Sequence, residues 1–364
     1  MKPARSPLWG RVVAVCALLA AFALLSGMSG GLARLGLPLP PMPAPVHGAL
    51  MLCAFFGTLI ALERAVALQR LSGLLVPLLA GVGGVLAQVP VLLPPAQVCW
   101  AAAAAGLVVL YIYAGTSRAW SLHLLVEAGG AACWLVGVLL WVLHGDLAAL
   151  TRGGVGFLVL TIAGERRELT QMVRLPPLAR RLFVAAVALI AFGVSGVLPF
   201  ALWSGCALLA VWLLRWDIAP RAWRAAGWAG HTAQCLTMGY LWLLVGALLG
   251  LYGELSVDAA PVAATGLHAV LLGFVFAMVF GHAPIILPAL LRLRPAYTGV
   301  ARLPLWLLAA SLALRIVAVG VGRHDALMVA GAGHALAILL FAGVMLRAVS
   351  AGLHRKEKIG RAHV

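Results

Sequence analysis

Six of the ten histidines, His47, His123, His231, His268, His282 and His334, sit inside long apolar stretches. The other four, His144, His324, His354 and His363, fall in connecting or terminal segments. An ionisable side chain within lipid is expensive, so each of the six is a candidate for function. Neutral imidazole is a strong ligand for haem iron and for copper. A bis-histidine haem needs two imidazoles at similar depth on facing helices. A copper site uses two or three, with Met or Cys joining if Cu(I) is held. The same histidines would serve equally as interhelical hydrogen-bonders or as steps in a proton pathway, and spacing leaves these alternatives open.

Depth sorts the six, because a helix rises about 1.5 Å per residue. Counted from the nearest basic anchors, His123 (five residues past Arg118) and His231 (seven past Arg224) lie roughly 8–10 Å inward. His282 lies roughly 15 Å from Arg292, and His47, His268 and His334 stand farther still, in the opposite half. Two groups result. His47, His268, His334 and a nearby arginine, Arg315, form an expected outer cofactor site. His123, His231 and His282 form an expected inner metal site. His268 and His282 are fourteen residues apart on one run, which leaves them on a shared helix face.

Glu127 follows His123 by four residues and so stacks on the same face. Three roles stay open for it: a carboxylate orienting the imidazole behind a metal, a proton carrier, or the partner of an arginine. Arg315 is the one arginine placed deep within an apolar run. It could meet a haem propionate, or it could be an interhelical or snorkelling arginine. Glu63-Arg64 and the stretch Gly164-Glu165-Arg166-Arg167-Glu168 read as interface anchors and loop ion pairs. Pro284 and Pro288 are expected to break the helix after His282 and to release carbonyls there.

The elements that must position these residues are apolar runs near 10–30, 47–68, 74–93, 99–116, 119–143, 150–164, 182–198, 200–215, 228–251, 261–290, 304–321 and 325–347. Hydrophobic residues make up 64% of the chain and charged residues 10%, so lipid is the solvent for most of its surface. The runs lack barrel alternation, and only helices satisfy their own backbone in lipid. The expected fold is therefore all-α: an integral membrane protein of about twelve transmembrane helices in a single domain, 1–364, with a short basic tail at 348–364. With the N-terminus inside, every basic residue except Arg34, Arg152, Arg315 and Arg323 falls on the inner side, which places both termini in the cytoplasm. The same bias accounts for the net charge of +16 without nucleic acid, since no basic stripe carries exposed aromatics. The first run begins basic but has no clear A-x-A site, so it reads as a retained helix.

The six cysteines have no CxxC pair and read as small buried residues. No P-loop or H-E-x-x-H occurs, which argues against nucleotide-driven pumping and soluble-type metal-dependent hydrolysis. One internal echo is present: HGALMLCAFF from His47 and HAVLLGFVF from His268.

Four stretches resemble the NnrS family of haem- and copper-containing polytopic membrane proteins. They are VHGALMLCAFFGTLIALERAVAL from Val46, FLVLTIAGERRELTQ from Phe157, MGYLWLLVGALL from Met238 and GLHAVLLGFVFAMVFGHAPIILPALLR from Gly266. The chain departs from the family at helix 2, where His47 stands without the second histidine and the glutamate. It departs again after Gly281-His282, where no arginine follows. The resemblance implies a twelve-helix fold in a bacterial inner membrane, with haem b or copper ligated by His47 and His268 and more weakly by His282 and His334. It also implies a role in nitric-oxide stress or denitrifying respiration. The competing expectation is a cofactor-free, proton-coupled secondary transporter.

Overall fold

The computed structural model describes residues 7–37, 46–170, 174–257, 259–291 and 295–361. Every regular element among them is helical. Joined across their π and 3-10 pieces, the helices are α1 (Pro7–Arg34), α2 (His47–Leu68), α3 (Leu71–Leu86), α4 (Leu93–Arg118), α5 (Leu122–His144) and α6 (Leu147–Leu169). They continue as α7 (Pro177–Gly193), α8 (Pro199–Trp216), α9 (Gly227–Leu255), α10 (Ala260–Leu291), α11 (Leu303–Gly320) and α12 (His324–Arg361). Among the described residues, nine helices are long and apolar enough to cross a membrane; α3 and α8 are apolar but shorter. Helix α7 is short, opens on Pro177 and carries the pair Arg180-Arg181 about one turn in. Leucines and valines such as Leu18, Leu143, Val317 and Leu346 point outward along these helices, as a lipid-facing surface requires. The protein is a multi-pass helical membrane protein.

Local chemistry sets the ends. Ser121 caps α5 by accepting from the Leu124 N–H, and Asp146 caps α6 by accepting from the Ala149 N–H at 2.9 Å. Between them Gly145 takes the left-handed conformation, φ 71°, and closes α5. The run expected over 74–93 stops at Leu86, because Pro90 cannot continue the ladder and instead opens a 3-10 turn. The run expected over 182–198 stops at Gly193, where a turn through Gly196 (φ 75°) reverses the chain. The run expected over 150–164 is longer, 147–169, because the Asp146 cap starts it earlier. Pro284 and Pro288 do not end α10, which runs on to Leu291. The expected tail at 348–364 is helical as far as Arg361.

The chain divides into two compact units: Met1–Gln171 with Val187–Leu202, and Met172–Ala186 with Trp203–Val364. In the first, α2 and α6 are the most buried helices. Helices α5 and α6 meet backbone to backbone, since a Cβ on Gly137 or Gly153 would lie under 3.0 Å from the facing helix. Small residues drive such contacts in lipid, where close van der Waals packing replaces the hydrophobic effect. In the second unit, Gly246 of α9 and Gly266 of α10 do the same.

The echo has a structural counterpart. Helix α2 is π-helical from Leu50 to Phe56, and α10 is π-helical from Ala269 to Phe276. Each segment lies close after a histidine and ends on a phenylalanine, and the two belong to different units. π turns are rare and concentrate at functional sites.

Candidate functional site

The first unit gathers ionisable side chains at one end. Arg64, near the end of α2, is ion-paired with Glu127 of α5, which is 1% exposed. The Arg64 guanidinium also lies 4.5 Å above the ring of Tyr111 from α4, itself fully buried. Glu63 and Glu165 are within electrostatic reach of Arg64, and Glu165 also reaches Glu127. Gly164 makes room for this: a Cβ there would stand 2.4 Å from Glu127 Cγ and 2.9 Å from the His123 carbonyl oxygen. Of the three roles open to Glu127, the structure realises partnership with an arginine. Glu63-Arg64 and Gly164–Glu168, read from sequence as interface anchors, contribute Arg64, Glu165 and the clearance for Glu127. His123 turns elsewhere, 3.0 Å from Ser121 Oγ and 3.9 Å from Glu168. Tyr111 was not legible as a member, since a tyrosine in an apolar run looks like any packing aromatic.

In the second unit, His231 of α9 is wholly buried, with the edge of Trp228 against it. Its Nε2 is 3.1 Å from the Phe280 carbonyl. Pro284 has no N–H to bond that carbonyl, so the imidazole supplies the missing donor. Thr232 donates to the next carbonyl, Gly281, at 2.8 Å. The carbonyl expected to be released by Pro284 is thus released and immediately bonded, without a break in the helix. His231 Nδ1 keeps its lone pair and has no partner among the described residues.

Helices α11 and α12 carry a third cluster. His334 Nδ1 is 2.7 Å from Ser311 Oγ, and Ser311 donates its own proton to the Leu308 carbonyl at 2.9 Å. Ser311 therefore accepts from His334 Nδ1–H, and Nε2 carries the lone pair. Arg315 is one turn on from Ser311 and within electrostatic reach of His334.

The remaining histidines share this tautomer. His47 Nδ1 is 2.6 Å from the Gly27 carbonyl, His268 Nδ1 is 2.7 Å from Ala264 O, and His282 Nδ1 is 2.8 Å from Met278 O. A carbonyl only accepts, so each Nδ1 donates and each neutral imidazole presents a deprotonated Nε2. The fit at His47 is close, since a Cβ on Gly31 would stand 2.8 Å from its ring. His47 and His123 belong to the first unit; His231, His268, His282 and His334 belong to the second. Among the described residues, no three His, Cys, Asp or Glu side chains are grouped as a metal ion would need.

No curated protein and no solved structure matches the chain. One family does match, over residues 11–350 and so nearly the whole length. The chain belongs to the family described as Domain of unknown function (DUF8744).

Proposed function

We propose that this is a haem-binding membrane protein of the kind the NnrS resemblance implies, with twelve spans and both termini on the cytoplasmic side of a bacterial inner membrane. The observation that carries the reading is the shared tautomer. His47, His268 and His282 each give Nδ1–H to a main-chain carbonyl. That is how proteins orient an imidazole whose Nε2 is to bind a metal. A haem iron asks for only one or two such imidazoles, which is what these residues offer. When bound, haem would supply a redox-active iron able to take a small ligand such as nitric oxide. The chain's part is to hold each ring by its Nδ1 bond. The distribution of basic residues supports the orientation.

The test is the absorption spectrum of the detergent-purified protein, oxidised and dithionite-reduced, with metal analysis of the same sample. A Soret band and a sharp reduced α-band that are lost in His47→Ala or His268→Ala bear the reading out. A colourless preparation that stays so after haem and copper supplementation overturns it.

A second reading, proton-coupled secondary transport, is supported by the Arg64, Glu127 and Tyr111 cluster with Glu63 and Glu165 beside it. Buried carboxylates against one arginine are a common means of carrying a proton through a membrane protein. Proton uptake by proteoliposomes, abolished in Glu127→Gln, would establish it; no substrate-dependent proton flux would exclude it.

A further inference from the structure

Arg315 is 7% exposed, His334 6% and Ser311 5%. Ser311 and Arg315 lie one turn apart on α11, and His334 meets Ser311 from α12 with Arg315 within electrostatic reach. A Cβ on Gly333 of α12 would stand 2.8 Å from Ser311 Cβ, so this glycine lets the two helices approach. Two polar atoms in the cluster have no hydrogen-bond partner among the described residues: Arg315 Nε and His334 Nε2. Arg315 also has no ion-pair partner there; the nearest acidic residue along α12, Asp325, is paired with Arg323 at 2.8 Å. A buried guanidinium without a counter-ion is costly in any protein, and more so in lipid. The deficit here is specific. One N–H donor bears a positive charge, and one lone pair is fixed on Nε2 because Ser311 holds the proton on Nδ1.

The complement of that pair is an anion that accepts at one oxygen and donates from another. We infer that Ser311, Arg315 and His334 form a binding site for a small oxyanion that retains a proton, hydrogencarbonate being the simplest. Its charged oxygen takes the Arg315 N–H, and its O–H donates to His334 Nε2. Ser311 is a positioning residue, since it fixes the imidazole tautomer without touching the ligand. The inference is independent of haem, because it rests on an unmatched charge and an unmatched lone pair.

Nitrate and formate provide the discriminating controls. Both are small planar monoanions, and neither has an O–H. Binding to the detergent-purified full chain is measured near pH 7.5 by titration calorimetry or ligand-dependent thermal shift. Hydrogencarbonate is expected to bind roughly tenfold or more tightly than nitrate or formate, the difference one hydrogen bond to a buried partner makes. His334→Asn keeps a donor for Ser311 but removes Nε2, and should reduce hydrogencarbonate to the level of nitrate. Arg315→Gln should abolish binding of all three anions. Arg315→Lys, which retains the charge, serves if the Gln variant does not fold, and should weaken all three by a similar factor. Equal affinity for hydrogencarbonate and nitrate overturns the inference, as does the absence of any binding to the wild-type chain.

Discussion

Replacing Gly164 by alanine tests whether the α5–α6 contact is what seats the Arg64–Glu127 pair. The added Cβ would stand 2.4 Å from Glu127 Cγ, 3.2 Å from its Oε1 and 2.9 Å from the His123 carbonyl oxygen. Carbon atoms settle at about 3.5–4.0 Å, so the first contact is short by more than 1 Å. The carbonyl belongs to the main chain of α5 and cannot rotate away. Either the helices part or Glu127 leaves Arg64. Overpacking a close-fitted site costs about 1–3 kcal/mol, while alanine in a helix regains roughly 1 kcal/mol over glycine. With a main-chain clash the cost falls toward the upper end, for a net destabilisation of about 1–2 kcal/mol. Gly129 on α5 is the control, because a Cβ there meets nothing within 4 Å. Gly129→Ala should therefore be neutral or stabilising by up to about 1 kcal/mol. Thermal unfolding of both variants in one detergent, followed by far-UV circular dichroism, measures the contrast. If Gly164→Ala unfolds at or above the temperature of Gly129→Ala, the close approach is not what holds Glu127 in place.

Breaking the buried pair by Glu127→Gln should cost on the order of 3 kcal/mol, and Glu127→Leu combined with Arg64→Leu should cost less than the sum of the single changes. Additive single costs in a denaturation cycle would show the pair to be uncoupled. Pro284→Ala gives residue 284 an N–H for the Phe280 carbonyl, so His231→Ala should be less costly in that background, by about 1 kcal/mol. An unchanged cost would mean that His231 does not replace the missing donor. The Ala149 N–H, helped by Arg152, holds the Asp146 carboxyl below the ordinary value of 3.8. The carboxylate form is thus the one the fold favours, and its contribution is present above pH 3.8 and lost as pH falls through the lower folded value. Asp146→Ala should unfold below wild type at pH 6, and the gap should close on acidification past that range; a gap independent of pH would refute the cap.

The helices were largely legible because lipid imposes a simple demand: long apolar runs that satisfy their own backbone. The boundaries that slipped did so where a local rule overrode hydropathy, as Pro90 did beyond Leu86 and the Asp146 cap did before Leu147. The polar contacts were much less legible. His123 and Glu127 share a face by spacing, yet Glu127 turns to Arg64 and His123 to Ser121 and Glu168, because pairing is decided between helices. Arg64 looked like an interface anchor, since its position near the end of α2 is also where snorkelling arginines sit. Ser311 carried no signal at all; its role exists only because His334 arrives from α12. The echo from His47 and His268 was faint as sequence and is plain as two π segments.

Those segments make the two histidines adjustable. A π segment holds surplus residues relative to an α-helix of the same length, and relaxing it by one residue turns everything on one side by about 100° and shifts it by about 1.5 Å. In α2 only three residues precede the π segment, His47 first among them, while the whole of Gly57–Leu68 follows it. The short side is the one that would turn. A register shift there would swing the imidazole off the Gly27 carbonyl while leaving Arg64 and its carboxylate where they are. The same holds for His268, with only Ala260–Leu267 before it and the long run to Leu291 behind. Each unit thus carries an imidazole mounted on a swivel and anchored by the rest of its helix.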